Sequence, residues 1–149
     1  MRTNVLMVCL GNICRSPLAE GILKSKVDPE RVFVDSAGTA GYHINNPPDP
    51  RSIEVAKKYG VDIAEQRCRQ FNIQDFDLFD VIYAMDKENY YNIIKLSSSA
   101  ADRSKVHLLL GEIDGSANEV PDPYYGGVEG FEHVFQMIAN ACEQIAKRL

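Results

Sequence analysis

The chain has 149 residues, 45% hydrophobic and 25% charged, a length and balance that fit one folded domain over 1–149 and exclude wholesale disorder. Lys and Arg total 16 against 21 Asp and Glu, and the net charge of -5 excludes a general nucleic-acid binder, so any anion site must be built locally. The four cysteines are scattered, with no Cys-x-x-C pair and no zinc spacing, which predicts reduced thiols, a cytoplasmic protein and no metal site.

Val5–Cys9 is a short continuous apolar run, as expected of a strand buried on both faces. It stops at Gly11-Asn12, too soon for a secretory core or a membrane span. Ser16-Pro17 predicts a helix start, with Ser as N-cap and Pro at the first helical position, and Leu18, Ile22 and Leu23 give that helix an apolar face. Val32–Val34 reads as a second strand and Asp35–Gly38 as a turn, followed by a polar, Pro-rich loop to Pro50. Arg51–Tyr59 reads as a helix stopped by Gly60. Val81–Ala84 is the third strand. Asp86 is placed to cap the helix carrying Tyr90, Ile93 and Ile94. Val106–Leu110 is the fourth strand. From about Gly130, Phe131, Val134, Phe135, Ile138, Cys142, Ile145 and Leu149 recur at helical spacing along one face. Strands alternating with helices predict an α/β fold, a four-stranded parallel sheet with helices on both faces, binding its ligand at the carboxyl ends of the strands.

At one such end lies Cys9-Leu10-Gly11-Asn12-Ile13-Cys14-Arg15-Ser16-Pro17. A helix N-terminus offers free amides and a partial positive charge to an anion. Gly11 and Asn12 tolerate left-handed backbone angles, which lets the loop turn its amides inward. A cysteine in such a place is favoured as thiolate, its nucleophilic form, and Arg15 brings a planar fork that matches two phosphate oxygens. Cys, five residues, then Arg is a weak signal by itself. The strand before it and the Ser-Pro helix start after it make the placement specific.

Val8–Pro17 resembles the signature of the low-molecular-weight protein tyrosine phosphatases almost letter for letter. The resemblance runs through the chain: Asp35-Ser36-Ala37-Gly38-Thr39, Gly41-Tyr42, Pro47–Arg51, and Met85-Asp86 with Asn89 look like further family blocks. It implies a three-layer, flavodoxin-like domain that hydrolyses phosphotyrosine and small aryl phosphates with neither metal nor cofactor. Cys9 is then the nucleophile. The loop Leu10–Cys14, with Ser16, is the phosphate cradle, and Arg15 is its cation. Asp122-Pro123-Tyr124-Tyr125 alone reads as a turn; the resemblance makes Asp122 the general acid, and Tyr42, Tyr124 and Tyr125 the rim of a slot for a flat ring. It further implies that Asn12 fixes the loop, with Ser36 as one partner, and that Ser16 stabilises the thiolate. Asp86 is either a plain helix cap or the residue that orients Arg15. Cys14 is either an inert core thiol or a redox protector that forms a disulfide with Cys9. Many members have a histidine where Gln66 stands, bonded to the loop asparagine, and Gln66 is expected to donate in its place. His107 and His133 read as structural, and His43 as part of the pocket mouth. Cys68 and Cys142 read as packing residues.

The implied partners are phosphotyrosine proteins, a tyrosine kinase among them, for a monomer or weak homodimer that binds neither nucleic acid nor membrane. Ile13 favours this over the related protein-arginine phosphatases, which place Thr there. Two other readings compete. An arsenate reductase of the same fold needs further redox cysteines near the end of the third strand, and Val81–Ser99 contains none. A non-catalytic module, whether an FMN-binding domain or a phosphotyrosine reader, leaves the Cys9, Arg15 and Asp122 set without use.

Overall fold

The computed structural model describes residues 2–111, 119–124 and 126–149. β1 (Thr3–Cys9) owes its central place to a run in which Val5–Val8 are fully buried. It pairs in parallel with β2 (Val32–Gly38) on one side and with β3 (Val81–Ala84) on the other. β4 (Val106–Leu108) extends the sheet beyond β3, giving the order β2-β1-β3-β4. The helices lying wholly within the described residues are α1 (Arg15–Lys24), α2 (Pro50–Lys58), α3 (Asp75–Leu78), α4 (Lys87–Ile94), α5 (Ala100–Ser104) and α6 (Val128–Ala146).

The period-two alternation of a strand divides the core. Val5, Met7 and Cys9 face a cluster built with Leu18 and Ile22 of α1, Val55 of α2 and the apolar stripe of α6 from Phe131 to Ile145. Leu6 and Val8 face the opposite cluster, with Ile82, Phe76 of α3 and Ile93 of α4. The result is the three-layer α/β fold, with β1, α1 and the connecting loop at its centre. No helix among the described residues is long and apolar enough to cross a membrane.

Four local expectations are corrected. Asp35–Gly38 is not a turn but the end of β2, with Cys9 opposite Gly38. Gly38 is required by close approach: a Cβ there would lie 2.8 Å from the carbonyl oxygen of Leu10 and 3.0 Å from the amide nitrogen of Asn12. The first helix starts two residues early, at Arg15 rather than Pro17, and its N-cap is Cys14 without a side-chain bond. Ser16 therefore caps nothing, and its hydroxyl is free to serve the loop. β4 ends at Leu108 rather than Leu110, and α6 starts at Val128 rather than Gly130.

Candidate active site

The Cys9 loop is shaped by one left-handed residue. Asn12 sits at φ 59°, which Asn adopts more cheaply than most residues, whereas Gly11 stays at negative φ. Three bonds hold the buried Asn12 side chain. Its Nδ2 donates to Ser16 Oγ at 2.8 Å and to Ser36 Oγ at 3.0 Å, while its Oδ1 accepts from the backbone amide of Arg69 at 3.0 Å. From outside, Thr39 and Ala40 donate their amides to the carbonyls of Cys9 and Leu10, both at 2.9 Å, and Asp49 donates its amide to that of Ile13 at 2.8 Å. The carbonyls are thus taken up by the scaffold. Among the described residues, no amide from Gly11 to Cys14 donates to a protein group. These amides sit at the N-terminus of α1, where an anion is the natural partner.

The loop forms the floor of a cavity of about 270 Å³, with Cys9, Leu10, Gly11, Ile13, Cys14 and Arg15 below and Tyr42, His43, Asp122 and Tyr124 around it. Cys9 Sγ lies 3.0 Å from Ser16 Oγ. Arg15 is 2% exposed. Its Nη1 donates to Asp86 Oδ2 at 2.6 Å and to the carbonyl of Val120 at 2.9 Å, and its Nη2 stands 3.7 Å from Asp122 Oδ2. Burial opposes the charge on Arg15, yet Cys9, Asp86 and Asp122 together raise its pKa above the ordinary guanidinium value. The cation is therefore fixed. Burial, reinforced by Asp49, Cys9 and Asp122, pushes the Cys14 thiol well above the usual range and keeps it protonated.

Asp86 has both of the roles left open above: Oδ2 holds Arg15, while Oδ1 accepts the Asn89 amide at 2.8 Å and caps α4. Asp122 Oδ1 accepts the amide of Tyr124 at 3.0 Å, which curls the loop. Tyr42 is 72% and Tyr124 37% exposed at the rim. His43 joins them, its ring 6.4 Å from Tyr42 and 6.5 Å from Tyr124. Tyr125 lies outside the described residues.

The chain that carries this loop is similar to known proteins along nearly its whole length. The family model described as low molecular weight phosphotyrosine protein phosphatase matches residues 4–149. The chain belongs to that family. It is 42% identical to the low molecular weight protein-tyrosine-phosphatase YfkJ of Bacillus subtilis over 95% of this chain and 92% of that one. It is 40% identical to the low molecular weight phosphotyrosine protein phosphatase of Schizosaccharomyces pombe over 97% and 96%. A crystal structure of the Entamoeba histolytica protein tyrosine phosphatase with Hepes in its active site superposes with a TM-score of 0.91, at 36% identity over 98% and 96%. The phosphatases of this family are hydrolases.

One expected family contact is absent. Gln66 does not reach Asn12: its Nε2 donates to the carbonyl of Pro17 at 3.1 Å, and its Oε1 is buried without a partner. The backbone of Arg69 occupies that position instead, because a bridge between Gly38 and Gln70 draws its segment against β2. Cys68, read as packing, also touches the loop, its Sγ donating to the carbonyl of Asn12 at 2.9 Å. Glu20 was missed altogether. It is 4% exposed and accepts from Ser36 at 2.6 Å and from Lys24 at 2.6 Å. Burial raises its pKa, against the pull of those two bonds. Its signal was the four-residue spacing of Ser16, Glu20 and Lys24, which puts all three on one face of α1.

Proposed function

We propose that the chain hydrolyses phosphotyrosine in proteins through a phosphocysteine at Cys9. The observation that carries this reading is the meeting of Cys9, Arg15 and Asp122 in one cavity walled by Tyr42, His43 and Tyr124. The amides of Gly11–Cys14 and the Arg15 fork take the three non-bridging oxygens of the phosphoryl group. The Cys9 sulfur attacks phosphorus in line. The S–P bond forms as the bond to the tyrosyl oxygen breaks, and Asp122 gives its proton to that oxygen. Water then attacks the phosphocysteine and passes its proton to Asp122. The S–P bond breaks, phosphate leaves, and both groups return to their starting forms. Ser16, 3.0 Å from the sulfur, stabilises it as the leaving group of this second step.

The phosphate is small, so selectivity falls to the rim. A phenyl ring gains offset or edge contacts with Tyr42, His43 and Tyr124 that an aliphatic phosphoester lacks. The substrates are phosphotyrosine proteins, tyrosine kinases among them, met in the cytosol by a single-domain monomer or weak dimer. The four free thiols support the reducing compartment. Arsenate reduction is disfavoured because Cys68 and Cys142 are both 2% exposed or less and line no part of the cavity.

The test is steady-state turnover of a phosphotyrosine peptide against phosphoserine and phosphothreonine peptides of the same sequence. Preference for phosphotyrosine by at least about 100-fold in kcat/KM is expected. Equal turnover of all three would remove the ring slot from the account. Arsenate-dependent thiol oxidation without peptide turnover would replace the phosphatase reading altogether.

A further inference from the structure

Arg51 is oddly placed for a surface arginine. It lies in the first turn of α2, where the helix dipole disfavours a cation, and yet its guanidinium makes four hydrogen bonds. Its amide and Nε donate to Asp49 Oδ1 at 2.8 and 3.0 Å, and its Nη2 donates to Asp49 Oδ2 at 3.0 Å. The same guanidinium reaches across to the other loop: Nη2 donates to the carbonyl of Tyr124 at 2.9 Å and Nη1 to that of Gly126 at 3.1 Å. Its Cζ stands 4.5 Å from the centroid of the Phe131 ring and 5.6 Å from that of Tyr124. Asp49, in turn, donates its own amide to Ile13 in the Cys9 loop at 2.8 Å.

Of the described residues of the Asp122 loop, Asp122–Tyr124 and Gly126-Gly127, two pairs have bonds of their own, Tyr124 to Asp122 at 3.0 Å and Gly126 to Pro123 at 2.9 Å. These set the loop's curl but not its position over Cys9. Gly126 and Gly127 loosen it further, since glycine loses the most backbone freedom on ordering. We propose that Arg51 is a positioning residue for the general acid: with Asp49 it forms one clamp that fixes the Asp122 loop against the Cys9 loop. The planar fork is essential to this, because the clamp needs one rigid group bonded to a carboxylate and two carbonyls together. Lysine carries the charge but not the geometry.

The inference rests on the acid role proposed for Asp122, and the experiment separates the two. Arg51→Gln and Arg51→Lys are compared with wild type and with Asp122→Asn on p-nitrophenyl phosphate, whose leaving group needs little protonation, and on phenyl phosphate, whose leaving group needs much. Arg51→Gln is expected to lose roughly 10–100-fold in kcat on phenyl phosphate and several-fold less on p-nitrophenyl phosphate. It should add almost nothing to Asp122→Asn, since the two changes remove the same step. The inhibition constant of inorganic phosphate, which reads the cradle alone, should barely move. Should Arg51→Gln fail to fold, Arg51→Lys carries the same comparison, with the same sign and a smaller loss. Equal losses on both substrates, or losses that multiply in the double variant, would overturn the positioning role while leaving Asp122 in place. A flat leaving-group dependence in Asp122→Asn itself would overturn the acid assignment, and this inference with it.

Discussion

Asp86 grips Arg15 at 2.6 Å with one carboxylate oxygen and caps α4 with the other, so a single side chain joins the anion site to the helix that follows β3. The two functions separate by substitution. Asp86→Asn keeps a good cap, because Asn and Asp are nearly equal there, but gives up the charge facing a buried guanidinium. Its kcat/KM should fall by roughly 10–100-fold, as expected when a binding group shifts by a fraction of an ångström. Asp86→Ala should lose a further ~1 kcal/mol of stability with the cap. Urea unfolding and p-nitrophenyl phosphate turnover on both variants check this. Equal stability of the two would show that the cap contributes little.

Asp122→Asn should slow turnover by about 100-fold or more on phenyl phosphate and much less on p-nitrophenyl phosphate. A loss independent of the leaving group would take Asp122 out of the acid role and leave it as a partner of the Tyr124 amide and Arg15.

Asn12 supplies both a backbone shape and a hub of bonds. Asn12→Ala meets the left-handed penalty of about 1–2 kcal/mol, removes one bond each from Ser16 and Ser36, and strands the Arg69 amide. Asn12→Gly restores the backbone angle without the bonds. Activity should therefore stay low in both variants, while stability partly recovers in the glycine form. Full recovery of activity in Asn12→Gly would mean that the φ of 59° matters and the network does not.

Cys14 and Cys9 line the same cavity, and the structure holds both as free thiols. The reading of Cys14 as a protector predicts that peroxide converts Cys9 to the sulfenic acid and that the Cys14 thiol displaces water from it, forming a disulfide that added thiol reduces. Because burial keeps Cys14 protonated, this closure should be slow at neutral pH and faster as pH rises. Wild type should recover activity after excess peroxide and dithiothreitol, whereas in Cys14→Ser a second peroxide oxidises the unprotected sulfenic acid to sulfinic acid, and activity should not return. Identical recovery would assign Cys14 to packing alone.

Glu132 of α6 contributes to the acid limb of the stability curve. Lys58 and the Tyr59 hydroxyl bond its carboxylate at 2.5 and 2.7 Å and pull its pKa down from 4.5 to about 2. A lowered carboxylate pKa stabilises the fold above the unfolded value, and the contribution is lost as pH falls through the folded one. Glu132→Gln should thus flatten the fall in urea midpoint between about pH 4.5 and about pH 2. The pair is solvent-accessible, so added salt should shrink the difference. A salt-independent difference would point to lost packing instead.

The strands and the long helix were legible because their signals are local. The unbroken run Val5–Cys9 has the length and pattern of a strand buried on both faces, and the Phe131–Ile145 stripe has one period. The short helices α3 and α5, four and five residues long, fall below the length at which a period can be seen. Gly38 was misread because a glycine after Asp and Ser suggests a turn. Its true reason, the backbone of Leu10 and Asn12 pressed against it, lies more than twenty residues away in the chain. The same distance hid Arg69 and Arg51, which act through main-chain groups that no side-chain pattern reports. Gln66 shows the opposite error: a residue chosen by family position does not make the bond expected of it, and bonds Pro17 instead.

The central claim is that Cys9 is the nucleophile of a phosphatase whose charge stabilisation comes from the loop amides and Arg15. The measurement that tests it most directly is hydrolysis of p-nitrophenyl phosphate in EDTA by wild type and by Cys9→Ser, with circular dichroism to establish that both are folded. The account predicts steady turnover by wild type and none above background in the variant. Loss of wild-type activity in EDTA, or residual turnover in folded Cys9→Ser, would contradict it.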